Sequence, residues 1–226
     1  MKKIIISIYA LLCATFVMAY DFSVNGIFYN ILEDNAVEVT YNDEKMMEFG
    51  DCYSGDVIIP ATVTYNGTTY NVTTIGNMAF FDANSLQSIS LPDGITTIGN
   101  DAICDCPLLT SITFPATVTS LGTSVGDGCS KLFDIYIYAT VPPATPRSGS
   151  FSIRTWSYVT LHVPCESLEA YKADKNYNLI EKIVCIENTA VDNIHTNKKN
   201  AQKILQNGQL VIQCDDKSYN ALGGRK

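Results

Sequence analysis

The heptapeptide Leu86-Gln87-Ser88-Ile89-Ser90-Leu91-Pro92 recurs 23 residues later as Leu109-Thr110-Ser111-Ile112-Thr113-Phe114-Pro115. A third copy opens with Leu132 and continues with Ile135 and Ile137 in the same slots. Apolar and polar residues alternate in each copy, as in a strand that buries one face. A unit this short cannot bury its apolar face alone, so equal units must stack on one another. The spacing therefore predicts a solenoid with about 23 residues in each turn.

The repeat continues on both sides of these copies. Val57-Ile58-Ile59-Pro60 matches Ile89-Ser90-Leu91-Pro92 at an offset of 32 residues, and the nine extra residues contain the hairpin signal Asn66-Gly67. Thr160 to Pro164 predicts a fifth strand after a proline-rich loop at Pro142 to Gly149. After each strand, an Ile-x-x-Ile-Gly segment or its equivalent returns the chain along the opposite face.

Stacking of equal slots predicts two columns of outward side chains. The first column contains Asp56, Ser88, Ser111, Asp134 and Thr160. The second contains Ile58, Ser90, Thr113, Tyr136 and His162.

Several of these segments resemble the BspA-like leucine-rich repeat surface proteins of Bacteroidetes. The resemblance rests on Gly55 to Val63, on Thr74 to Phe80, on the Leu-x-Ser-Ile-x-Leu-Pro units and on the closing segment Val163 to Lys172. It implies an all-β-dominated leucine-rich-repeat solenoid that is exported to the cell surface or secreted, with the periplasm as another destination. It also implies adhesion through a host or bacterial surface protein or glycan. Val125-Gly126 departs from the usual Ala-Phe of the repeat, and the array has only about three full units.

The N-terminus has the pattern of a signal peptide. Lys2 and Lys3 precede an apolar run, and Val17-Met18-Ala19 offers small residues for cleavage. A lipoprotein site at Cys13 is the alternative.

Removal of residues 1–19 takes away two lysines and moves the formal charge from −8 to −10. An acidic chain of this kind argues against nucleic acid as a partner, and no transmembrane span is expected after signal removal.

Flanking modules are predicted at both ends of the array. Asn25-Gly26 predicts an N-terminal β-hairpin cap, which a strand at Ala36 to Val39 follows. Ser167 to Asp174 predicts a short C-terminal capping helix with Ser167 as its N-cap. The β-rich tail at residues 203–226 resembles a C-terminal segment of exported Bacteroidetes proteins that is sometimes linked to sorting. The other interpretation is that the tail forms a small hairpin. The predicted boundaries are signal peptide 1–19, N-terminal β cap 20–55, repeat array 56–165, C-terminal cap 166–187, linker 188–202 and tail 203–226.

Seven of the eight cysteines lie beyond the signal peptide. Cys106 and Cys129 are 23 residues apart and share one slot of adjacent units, within reach of a disulfide. A pair of buried thiols that pack as small apolar groups is the alternative. Cys104-Asp105-Cys106 lacks a second two-ligand cluster, so no metal is expected.

The sequence predicts neither an enzyme nor a cofactor. It contains two histidines and has no nucleophile elbow, metalloprotease helix or phosphate loop. Scattered acids such as Asp93, Asp101, Asp105 and Asp127 are typical of solvated turns.

The late units instead favour recognition. We expect a ligand-binding surface at Asp134, Tyr136, Tyr138, Arg147, Thr160 and His162, because aromatic, charged and hydroxyl groups converge there. The alternative is that the proline-rich loop covers Tyr136 and Tyr138, which then only seal the core. A structural or envelope-assembly role without a dedicated ligand remains the second functional hypothesis.

Overall fold

The structure, a computed structural model, describes residues 20–42, 52–146, 150–151 and 158–186 in full, and the backbone of residues 201–206, 209–214 and 217–220. The chain forms two compact units, Met1–Cys185 and Ile186–Lys226. The predicted signal peptide, the linker up to residue 200 and Arg147 lie outside the described residues.

The first unit is built mainly from short strands. In chain order they are β1 (Phe22–Val24), β2 (Ile27–Ile31), β3 (Ala36–Thr40), β4 (Gly55–Ile58), β5 (Thr62–Tyr65), β6 (Thr68–Ile75), β7 (Leu86–Ser90), β8 (Thr97–Ile98), β9 (Ser111–Phe114), β10 (Ser120–Leu121), β11 (Asp134–Ile137), β12 (Thr160–Val163) and β13 (Lys182–Cys185). The helix α1 (Leu168–Ala173) lies between 3-10 turns at Cys165–Ser167 and Tyr177–Leu179.

Six parallel strands follow one another along one face, and we call them the front sheet: β4, β7, β9, β11, β12 and β13. β4 pairs with β7, and β9, β11, β12 and β13 form one ladder; β7 lies beside β9. Asp134 lies opposite Ser111, which is 23 residues earlier, and Tyr136 lies opposite Thr113 at the same step. On its other side, Asp134 lies opposite Thr160. These are the registers that the sequence repeat predicts for the outward columns.

The columns extend one strand further than the sequence predicts. β13 pairs in parallel with β12, so that Lys182 lies opposite Thr160 and Val184 lies opposite His162. Sequence reasoning missed β13 because it follows a predicted helix, lies 22 residues after β12 rather than 23, and lacks the proline that follows most of the earlier strands.

The opposite face carries a second sheet, which we call the back sheet. Its strand order is β1-β2-β3-β6-β8-β10, with β5 paired to β6. Thr97 lies opposite Thr74 on one side and Ser120 on the other, so this sheet also steps by 23 residues between β8 and β10. The predicted hairpins at Asn25-Gly26 and Asn66-Gly67 are confirmed, since β1 pairs with β2 and β5 with β6 in antiparallel fashion.

The core lies between the two sheets and follows the repeat. Ile112, Ile135, Phe114 and Ile137 are all buried, as the inward alternation predicts. Leu91 is only half-buried against the core, as are Val57 and Ile183 in the first and last strands of the front sheet.

Glycine recurs where the back sheet brings the backbones of adjacent units together. A Cβ atom added to Gly122 would lie 2.4 Å from the carbonyl carbon of Gly99, and one added to Gly99 would lie 2.5 Å from the amide nitrogen of Asn77. Any larger residue must push the units apart. The turns that follow use left-handed backbone at Asp101 and Asp105, so these acids occupy turn positions, as predicted.

A buried tyrosine connects the first strands of the back sheet. The Tyr53 hydroxyl donates to the Thr40 carbonyl oxygen over 2.5 Å and accepts from the amide of Phe28 over 3.2 Å. Burial of the neighbouring Tyr29 raises its pKa to about 12, because a phenolate would lose its hydration in this environment.

The C-terminal end of the array is closed by α1 and by a disulfide. The predicted helix is present, but the Ser167 hydroxyl does not cap it; it donates instead to the Thr140 carbonyl oxygen over 2.7 Å. The buried Tyr171 of α1 donates to the Ala139 carbonyl oxygen over 2.8 Å. Cys165 and Cys185 form a disulfide with a Cα–Cα distance of 4.5 Å, which ties the ends of β12 and β13 together.

The second unit contains a three-stranded antiparallel meander. Its strands are β14 (Ala201–Gln206), β15 (Gln209–Cys214) and β16 (Lys217–Asn220). The β-rich tail predicted from the sequence therefore forms one more strand than a single hairpin would have. Across the portion of the chain covered by the structure, we find no helix with the length and apolar character needed to cross a membrane.

Candidate functional site

β11 and β12 place the predicted binding residues on the outer side of the front sheet. Ile135 and Leu161 point into the core and are fully buried. Their sequence neighbours point outward because side chains alternate along a strand. The fold thereby brings together four of the six predicted residues, which are Asp134, Tyr136, Thr160 and His162.

His162 is the centre of this group. Its Nε2 donates to Asp134 Oδ1 over 2.7 Å. Its ring also stacks on Tyr136, with centroids 4.3 Å apart and planes inclined by 14°. Asp134 lies directly opposite Thr160, so the bond to His162 is a diagonal contact of the kind that long side chains make across a sheet. We call Asp134, Tyr136 and His162 the front triad.

The three side chains of the front triad hold one another in place and are still partly accessible to solvent. The side chains of His162 and Asp134 are 20% and 42% exposed, and Tyr136 is half-buried. Each side chain is fixed by its neighbour, which lowers the conformational entropy that a ligand would have to remove on binding. The group offers a carboxylate acceptor, an imidazole and a phenol in one patch.

Three further aromatic side chains are exposed near the front triad. Tyr138, Phe133 and Tyr158 are 43%, 55% and 59% exposed. Tyr138 is therefore not sealed in the core, in contrast to the alternative considered for it. Exposed aromatic residues in one region are characteristic of interaction surfaces, because they bury much area for little entropic cost.

Sequence reasoning missed Phe133 and Tyr158. Phe133 directly precedes the outward Asp134, where strict alternation predicts an inward side chain, but the inward place is taken by the buried Leu132. Tyr158 precedes β12 in the loop whose length departs from the repeat. Lys182 was missed for a different reason, since its strand was not recognised.

The two remaining predicted binding residues are Tyr138 and Arg147, and the structure describes only Tyr138. Tyr138 continues β11, because its amide donates to the Phe114 carbonyl oxygen over 3.1 Å. It therefore lies on the same outward side as Tyr136, two residues away. Arg147 lies outside the described residues, so its place beside the front triad stays a prediction.

The two cysteines that share one slot of adjacent repeats, Cys106 and Cys129, are not part of the front triad and pack in the core. Cys106 and Cys129 are buried and unbridged, and the Cys106 amide donates to Cys129 Sγ over 3.4 Å. The hydrogen bond to Cys129, together with burial, raises the pKa of the Cys106 thiol far above its usual range. Burial and the nearby Asp105 carboxylate raise the pKa of Cys104 to about 12. Protonated thiols are poor nucleophiles, so neither Cys104 nor Cys106 is poised for chemistry at neutral pH.

Comparison with known families gives a match to a repeat family. The family described as "BspA type Leucine rich repeat region" matches residues 48–171 in six copies, which is more than half of the chain. No curated protein matches the sequence.

Solved structures with similarity to the chain are also leucine-rich repeat proteins. A leucine-rich repeat protein from Bacteroides ovatus is 24% identical over 73% of this chain and 41% of its own length, with a TM-score of 0.46. One from Bacteroides capillosus is 20% identical over 73% of this chain and 97% of its own, with a TM-score of 0.38. A leucine-rich cell surface protein from Faecalibacterium prausnitzii is 14% identical over 88% of this chain and 60% of its own, with a TM-score of 0.32. The chain thus spans about two fifths of the first of these proteins.

Proposed function

This chain belongs to the BspA-type leucine-rich repeat family, and from that premise we propose that it is an exported, non-enzymatic protein that recognises a surface partner through its front sheet. The partner is a host or bacterial surface protein or a glycan, and the biological role is adhesion. The solenoid and its two closing modules present this sheet to solvent.

The front triad is the observation that carries the proposal. Its hydrogen bond of 2.7 Å and its ring stacking at 4.3 Å fix polar and aromatic groups on an exposed sheet face. Ser90 and Thr113, in the same column, offer only small hydroxyls. Ordered aromatic and charged groups, rather than small hydroxyls, are what dominate binding energies in interfaces. The late end of the sheet is therefore the binding end.

The ligand class follows from the charge. The chain carries a formal charge of −8, or −10 after removal of residues 1–19, and Asp134 adds a carboxylate to the front triad. Such a surface repels polyanions and favours neutral glycans or basic protein patches. Nucleic acid and sulfated glycans are poor candidates.

A screen of the exported form against matrix proteins and a glycan array identifies the partner. With that partner in hand, Tyr136→Ala should weaken binding by more than about 1 kcal/mol, because an aromatic anchor is lost. Thr113→Ala is the matched control, since Thr113 lies opposite Tyr136 on β9 and is exposed. Unchanged affinity of Tyr136→Ala together with a lowered melting temperature would assign Tyr136 to packing and remove this site.

The structural or envelope-assembly role is the second candidate. The observation that favours it is that the Asp134 carboxylate and the His162 imidazole already bond to each other and that Tyr136 stacks on this imidazole, so no ligand is needed to hold the three side chains in place. That role predicts no hit in the screen and equal surface retention of wild type and Tyr136→Ala.

Export is tested separately by the N-terminus of the native protein. Cleavage after Ala19 predicts that the mature chain begins at Tyr20 and carries no acyl group. Mass spectrometry distinguishes this product from a chain that begins with lipidated Cys13, which would place the protein on a membrane leaflet.

A further inference from the structure

Among the described strands, each terminal strand of the front sheet is paired along one edge only. At one end β4 is hydrogen-bonded to β7, and at the other β13 is hydrogen-bonded to β12. The two strands lie at opposite ends of the same run of parallel strands. The opposite edge of each carries backbone groups able to pair with another strand.

The inward column is also incomplete at these two ends. Ile112 and Ile135 in the middle of the column are buried, whereas Val57 of β4 and Ile183 of β13 are only half-buried. Each end therefore leaves apolar area in contact with water that one more strand would cover.

The outward side chains of the two ends are complementary. Lys182 lies in the column of Thr160 at one end, and Asp56 lies in the equivalent column at the other end; both are exposed. In the second column the ends are Val184 and Ile58, and Ile58 is 74% exposed. A strand stacked in register thus sets a lysine beside an aspartate and a valine beside an isoleucine, which are both favourable cross-strand pairs.

The β4 end borders open space. A cavity of about 650 Å³ is lined by Asp56, Val57 and Ile58 of β4 and by the turn Asn25-Gly26. The Asp56 carboxylate accepts from Ser88 over 2.5 Å, and a carboxylate has the capacity to accept further hydrogen bonds.

We infer that β13 of one copy of this chain pairs in parallel with β4 of the next, so that the front sheet continues from copy to copy. The contact is heterologous: different surfaces meet, and each added copy exposes the same two ends again. The shortness of both strands makes the association reversible and concentration-dependent.

Sedimentation velocity of the full chain, from low micromolar to near-millimolar concentration, tests the contact. We expect an open series of oligomers that grows with concentration. Asp56→Lys and Lys182→Glu should each raise the dissociation constant at least about tenfold, because each sets like charges side by side. An equimolar mixture of the two variants should restore association, since the introduced lysine of one then meets the introduced glutamate of the other.

Matched controls separate this contact from general charge effects. Asp93→Lys, after β7, and Lys131→Glu, before β11, make the same charge changes at exposed positions outside the two terminal strands, and they should associate like the wild type. Ile58→Lys provides an independent disruption of the second column, with folding of every variant checked by circular dichroism. A chain that is monomeric at all concentrations, association that the edge variants do not weaken, or a mixture that stays dissociated would each overturn the inference.

Discussion

Replacement of Ile112 by alanine tests whether the repeat column is the main source of stability. Ile112 is 1% exposed and lies opposite Ile135 on β11, and its own strand, β9, has β7 on one side and β11 on the other. Loss of three buried carbons costs about 2.4 kcal/mol, at about 0.8 kcal/mol for each. A cavity adds to this cost, because adjacent strands hold the site open, and the observed range for such changes is about 2–5 kcal/mol. We expect a loss of about 3–4 kcal/mol in the free energy of unfolding.

Urea denaturation and a thermal melt measure this loss. For a unit of this size the melting temperature should fall by about 6–16 °C. Thr113→Ala, on the exposed side of the same strand, should change the free energy of unfolding by less than about 0.5 kcal/mol. If Ile112→Ala and Thr113→Ala melted at the same temperature, the stacked column would not be the core of this protein and the argument from the repeat would fail.

Three further predictions concern the backbone, the disulfide and pH. Gly122→Ala should lower the urea midpoint by the equivalent of about 1–3 kcal/mol or more, since its Cβ would lie 2.4 Å from the Gly99 carbonyl carbon; an unchanged midpoint would contradict the close approach. Breaking the Cys165–Cys185 bridge, which spans 20 residues, should cost about 3 kcal/mol, and a melt with and without reductant measures the difference. Because the pKa of Tyr29 rises on folding from 10.0 to about 12, its contribution to stability is complete below pH 10 and is lost as the pH rises toward 12; a melting temperature that stays constant between these two pH values would contradict its burial as the neutral form.

The candidate site was predictable to the extent that it follows the strand pattern. Asp134, Tyr136, Thr160 and His162 were assigned to two outward columns from their slots, and the registers of β9, β11 and β12 confirm that assignment. The direct bond between Asp134 and His162 was not predictable, because it crosses from one column to the other on adjacent strands.

The C-terminal end shows a second limit of sequence reasoning. The sequence identified α1 and placed Ser167 at its N-cap, which is the position that Ser167 occupies, but the hydroxyl donates to the Thr140 carbonyl oxygen instead of accepting from the helix. A helix propensity is local and can be recognised in a few residues, but the partner of a hydroxyl depends on which loop folds over it.

Sequence alone was enough to predict the period of the repeat, the inward and outward faces of the strands and the hairpin turns. Each of these follows from a short local pattern or from equal spacing, and equal units must adopt equal environments when they stack. The tertiary structure alone decided that β13 joins the front sheet, that Cys165 pairs with Cys185, and that an aspartate and a histidine meet across two strands. Those contacts join segments whose separation does not match the repeat, and only the path of the folded chain brings them within reach of one another.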